Sequence, residues 1–142
     1  MELRTYYDFA NDDYKFIKAT LEAGITANSI GAITQNTCER FLKHLINQYI
    51  PVTNKNRKEL TDILSTHNLN RLVNYWNNKS KLPIDAQTAS ALKEVNGFYF
   101  STKYPGDDSL TLNKEDYKIC MDAIEKCKQC VDEIIRIKED CD

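Results

Sequence analysis

The sequence predicts an all-α protein, an antiparallel bundle of about five helices. Three observations carry this expectation. Apolar residues recur at spacings of three and four along most of the chain, and no stretch alternates with period two for long enough to make a buried strand. Only 4 Gly and 3 Pro occur in 142 residues, too few for a turn-rich β fold. A chain of this length buries most of its apolar surface in one core, so residues 1–142 are expected to form one domain.

Tyr6, Ala10, Tyr14, Ile17 and Leu21 mark the first helix, which Gly24 closes. From Thr26 a wide apolar stripe of Ile30, Ile33, Cys38, Phe41, Leu42, Leu45, Ile46 and Tyr49 makes a long second helix, ended by Pro51. Residues 53–58 are polar and basic, and 60–64 make a short helical turn. Thr66 is placed to cap a third helix carrying Leu69, Leu72, Val73 and Trp76, with a loop at 77–81. Pro83 and Asp85 open a fourth helix, with Leu92, Val95 and Tyr99 facing inward, that runs to the break at Tyr104-Pro105-Gly106. Asn113 caps the last helix, with Leu112 and Tyr117 as a hydrophobic staple and Glu115 and Asp116 at the positive end of its dipole. Tyr117, Cys120, Met121, Ile124, Cys127, Val131, Ile134 and Lys138 then form one buried face.

The net charge of -2 and pI of 5.7 give no global attraction to nucleic acid or to an anionic membrane, so such binding requires a local patch. No apolar segment follows the charged residues 1–4, and no run approaches the roughly 18 apolar residues of a membrane span. A cytoplasmic protein without membrane association is expected, and its 5 cysteines then read as reduced thiols. Cys127 and Cys130 form a Cys-x-x-Cys, but with no preceding strand, second pair or nearby His they indicate neither a redox motif nor zinc. No metal and no cofactor is expected.

Three segments occur in order: Cys38-Glu39-Arg40-Phe41-Leu42-Lys43-His44, then Thr66-His67-Asn68-Leu69-Asn70-Arg71-Leu72, then the aromatic Val95-to-Asp108 stretch containing Phe98-Tyr99-Phe100 and Lys103-Tyr104-Pro105. Together they resemble the HEPN family of compact helical domains, whose pattern is Glu-x-x-Leu-Lys, Thr-His-x-Leu and an aromatic-rich Arg-Tyr-Pro segment before a last long helix. The resemblance covers nearly the whole chain. It implies the same helical fold and a homodimer with functional residues near its seam.

The family's nucleases carry an Arg followed, after four to six residues, by a His near the late helices. Here Arg40 and His44, and Arg57 and His67, have other spacings, and no histidine follows His67. No catalytic residue is therefore assigned. The tyrosine that partner nucleotidyltransferases modify in some members has no counterpart. The resemblance implies a non-catalytic binding or regulatory module, with a nucleotide or RNA as ligand and a nucleotidyltransferase as partner protein, in a defence or toxin-antitoxin type system.

The candidates for binding phosphate are Lys43, His67, Arg71 and Lys103, which the motifs bring toward one cleft. Arg40 and His44 are secondary candidates that share a helical surface with Lys43. All of these also read as solvated charge or, for His67, as a residue packed near a helix start. Glu39, on an apolar face, needs a partner such as Lys43 or Lys103. Asp107 and Asp108 read as loop formers with too few neighbouring ligands for a cation. Phe98, Tyr99, Phe100 and Tyr104 are core or dimer-interface candidates, and as aromatics they also suit stacking on bases. The alternative function is a metal-independent RNase that assembles a nonstandard site from Arg40, His44, His67 and Arg71 across a dimer.

Overall fold

In the computed structural model, which describes residues 2–107 and 109–141, the described residues form helices and no strand. Helix α1 (Tyr6–Glu22) begins with a capping box in which the Thr5 hydroxyl accepts from the Asp8 N–H and the Asp8 carboxylate accepts from the Thr5 N–H. Helix α2 (Ser29–Tyr49) stops where Ile50 turns extended ahead of Pro51. Helices α3 (Arg57–Leu64) and α4 (Leu69–Lys79) follow, and α5 (Ala86–Val95) starts at Asp85, whose carboxylate accepts from the Thr88 N–H. A four-residue α6 (Phe98–Ser101) precedes α7 (Lys114–Asp140), which opens with a second capping box between Asn113 and Asp116.

Five of these helices, α1, α2, α4, α5 and α7, have ten or more residues, in keeping with the sequence pattern. Three boundaries differ from it. Asn68 rather than Thr66 caps α4, because it is the Asn68 carboxamide that accepts from the Arg71 N–H. Helix α4 continues through the expected loop at 77–81 to Lys79, and the Trp76 indole N–H reaches the Leu82 carbonyl at 2.7 Å to hold the chain beyond it. The fourth helix is not continuous: it breaks at Gly97, which takes φ 102, a conformation that glycine adopts without the penalty a Cβ brings.

Helix α2 is central and packs against every other helix. Its Phe41, Leu42, Leu45 and Ile46 have no exposed surface, and they meet a core that includes Leu69, Leu72, Leu92, Ile124 and Val131. Each fully buried side chain of this kind contributes roughly 2 kcal/mol. Helix α7 packs on α2, α5 and α1, and polar ties fasten its outer side to α1: the Tyr7 hydroxyl donates to Asp132 at 2.6 Å and the Tyr14 hydroxyl to Glu125 at 3.0 Å.

The segment between α6 and α7 is tied to the start of α2. The Asn28 amide donates to the carbonyls of Thr102 (2.9 Å) and Leu110 (2.8 Å), and its oxygen accepts from the Leu112 N–H (2.7 Å). Gly31 permits this approach, since a Cβ there would stand 2.7 Å from the Thr102 methyl. These contacts fix the position of α6, on which the candidate site depends.

Candidate functional site

Gln35, Glu39 and Lys43 recur every four residues on α2, so they lie along one line of the helix. All three are buried, and buried polar groups must be partnered. The Gln35 amide donates to the His67 carbonyl at 2.7 Å, while its oxygen accepts from the N–H groups of Gly97 (3.0 Å) and Tyr99 (2.7 Å). Lys43 Nζ donates to Glu39 Oε1 at 2.7 Å. The line therefore serves both as a pin for α6 and as a buried ion pair beneath it.

His67, just before α4, completes the carboxylate's surroundings: its Nδ1 lies 3.1 and 3.2 Å from the two Glu39 oxygens. A carboxylate only accepts, so Nδ1 carries a proton, and Nε2 has no protein partner among the described residues. The imidazole side chain is 49% exposed, open enough to meet a ligand. Its ring stacks parallel on Tyr99, with centroids 5.0 Å apart and planes 5° from parallel, and Phe100 meets it edge-on at 6.5 Å. Lys103 Nζ sits 4.7 Å from the Tyr99 ring centroid and donates to its hydroxyl at 3.3 Å, a bond that chiefly raises the Lys103 pKa. Phe100 and Tyr104 continue the aromatic surface outward, stacked at 6.5 Å and both more than half exposed. Beside His67 opens a cleft of about 390 Å³ lined by Thr66, Asn68, Asn96 and Phe100 over Gln35.

The six basic candidates divide into three groups. Lys43, His67 and Lys103 belong to this assembly, but Lys43 is its buried support, occupied by Glu39, and does not reach the cleft as expected. Arg71 stands at the rim, where its guanidinium donates to the Thr66 hydroxyl at 3.3 Å. Arg40 and His44 lie elsewhere. The surface expected to join them to Lys43 does not form, because a 100° step around α2 turns Glu39 and Lys43 toward α4 and α6 but Arg40 and His44 toward α1. Arg40 pairs with Asp13 at 2.7 Å, and His44 packs its ring against Tyr7 at 5.5 Å and Tyr49 at 6.5 Å. Burial lowers the His44 pKa.

Of the aromatic candidates, Phe98 is turned into the core at 9% exposure, which removes it from any exposed seam. Glu39 pairs with Lys43, one of its two expected partners, and not with Lys103. Asp107 is exposed, and Asp108 lies outside the described residues. Gln35, Asn68 and Asn96 were not among the candidates. The signal for Gln35 was faint, since it sits in the polar run Thr34-Gln35-Asn36-Thr37 and only the four-residue step to Glu39 and Lys43 sets it apart.

Among the described residues no group of three or more His, Cys, Asp and Glu could hold a metal ion, and no helix is long and apolar enough to cross a membrane. No family model matches the chain, and no curated protein and no solved structure matches it either.

Proposed function

We propose that the chain is a HEPN-like binding module without nuclease chemistry, and that it takes a nucleotide or RNA at the His67 face. One observation carries the reading. The His67–Tyr99 stack, edged by Phe100 and flanked by the Lys103 ammonium, is held in place from beneath by the buried Glu39–Lys43 pair. A rigid aromatic surface beside a cation and an open cleft suits a base and its phosphate, and a preorganised site spends little of its binding energy on ordering side chains.

The test is calorimetric titration of mononucleotides and short RNA against the parent and His67→Ala and Phe100→Ala variants. Loss of a stacking partner is expected to weaken binding about tenfold or more, given the roughly 1–3 kcal/mol per stacked base. Binding unchanged in both variants overturns the reading. The homodimer implied by the family resemblance belongs to the same proposal, as do a nucleotidyltransferase partner and a defence or toxin-antitoxin role. Should light scattering find a dimer that Phe100→Ala dissociates while binding persists, Phe100 and Tyr104 are the subunit seam and not the shelf.

A second reading, RNA cleavage, is favoured by one feature: an imidazole with Nδ1 fixed on a carboxylate and Nε2 unpartnered has the form of a general acid or base. Against it, the guanidinium that would stabilise phosphate charge is absent from the His67 ring. Arg71 rests on Thr66, and Arg40 is paired with Asp13 on another side of the molecule. Cleavage of RNA by the parent that disappears in His67→Ala would establish the enzyme in place of the module.

A further inference from the structure

The basic stretch after α2 lines a cleft of its own. Lys55 and Lys58, with Arg71 from α4, line a second cleft of about 600 Å³ between α3 and α4, which Glu59, Asp62 and Tyr75 also line. Glu59 has Lys79 Nζ at 3.7 Å, whereas Lys55, Lys58 and Arg71 have no carboxylate within ion-pair distance among the described residues. Three unpaired cations thus face one unpaired carboxylate, Asp62, in a protein whose overall charge is -2. The local field has the opposite sign to the whole.

Tyr75 adds an independent observation. Its hydroxyl is buried and has no hydrogen-bond partner, which is rare enough in a folded protein to need a reason. Burial is also the main cause of its raised pKa, so the group stays a donor at neutral pH. The two clefts adjoin at one contact: Arg71 lines the basic cleft, and its guanidinium donates at 3.3 Å to Thr66, which lines the cleft beside His67.

We infer that the ligand is a single strand of nucleic acid, with one base on the His67–Tyr99–Phe100 shelf and the neighbouring phosphates running past Arg71 into the α3–α4 cleft toward Lys58 and Lys55. This rests on the base-binding reading of the shelf and gives its ligand, there a nucleotide or RNA, a single-stranded form and a stated path. A paired duplex does not suit the site, because its bases are stacked on one another and offer no face to the aromatic shelf. The aromatic cleft supplies stacking, and the basic cleft supplies the salt-dependent attraction that follows a phosphate backbone.

The experiment measures the affinity of the full chain for a mononucleotide, for single strands of increasing length in matched RNA and DNA form, and for a duplex, each over a range of salt. Single strands, of RNA, DNA or both, are expected to bind at least about tenfold tighter than the mononucleotide, with the logarithm of affinity falling about 0.7 per phosphate contact against the logarithm of salt. A Lys55→Ala/Lys58→Ala variant, altered only at exposed positions, is expected to lose that gain and flatten the salt slope by about 1.4, two contacts' worth, while mononucleotide binding stays as in the parent. Equal affinity for strand and mononucleotide, an unaltered slope in the double variant, or a duplex bound as tightly as the single strand overturns the inference and leaves the shelf standing. A strand that binds through Lys55 and Lys58 but is indifferent to Phe100→Ala and His67→Ala overturns the shelf as well as the path proposed here, and absence of all binding overturns both.

Discussion

Glu39 is 5% exposed in the middle of an apolar helix face, and it is sustained there by two donors, Lys43 from its own helix and His67 from the start of α4. Removing one partner of a buried pair leaves the other charge uncompensated, which typically costs 3–5 kcal/mol. Lys43→Met is therefore expected to destabilise the protein by about 3 kcal/mol in urea denaturation, somewhat less than the full range because His67 still meets the carboxylate. A loss below about 1 kcal/mol would show that Glu39 is not held as a buried charge. His44 makes a second prediction at this scale. Burial lowers its folded pKa below the usual 6.5, against weaker opposing attractions from Asp8 and Glu139, so the unfolded chain binds the proton more readily. The stability contributed by neutral His44 is present above about 6.5 and is lost progressively as pH falls through the window beneath that value. His44→Gln should then lose less stability than the parent between pH 7 and pH 5, and parallel curves would sink the argument. Glu39 and His44 both stood out in the sequence, but their directions did not. Spacing fixes the angle around a helix, whereas the helix that fills that angle is a property of the folded chain.

Among the elements, α6 is the one whose placement decides the site, and its start is capped from another helix. The first N–H groups of a helix lack internal acceptors, and here those of Gly97 and Tyr99 both go to the Gln35 oxygen on α2. The sequence pattern read a continuous helix to Tyr104, because Asn96-Gly97 interrupts no apolar spacing and the acceptor lies 62 residues away from Gly97. The Thr5 and Asn113 caps have acceptor and donor within one turn, and Asn113 was accordingly visible from sequence. Gly97→Ala isolates the backbone cost. A Cβ there meets nothing within 4 Å, so the only penalty is the positive φ, about 1 kcal/mol. The variant should melt a few degrees lower, and Tyr99 should lose its parallel alignment with His67, with a corresponding fall in ligand affinity. An unchanged melting temperature would mean that the turn relaxes to a conformation other than the one described.

At the scale of the molecule, 71% of the described residues are helical, about twice the globular average, and this much followed from periodicity alone. The surface was less legible. Phe9, Phe16, Phe100 and Tyr104 all expose large rings; of these, Phe100 meets His67 and the cleft beside it and Tyr104 has the Lys103 ammonium 5.6 Å from its centroid, an arrangement set by the route of the segment that Asn28 ties down. The five thiols, finally, form a graded set of reporters. Cys141 is exposed, Cys130 is partly covered against Asp85, and Cys38, Cys120 and Cys127 are wholly enclosed between α2 and α7, where burial pushes the Cys120 thiol up to about 11. Because the thiolate is the reactive form, a disulfide reagent should modify Cys141 at once and Cys130 more slowly. The other three should react only when α7 lifts from α2, so that counting modified sulfurs against time measures the opening of the bundle's longest seam separately from fraying at its C-terminal end. Simultaneous labelling of all five would show instead that the molecule opens only as a whole.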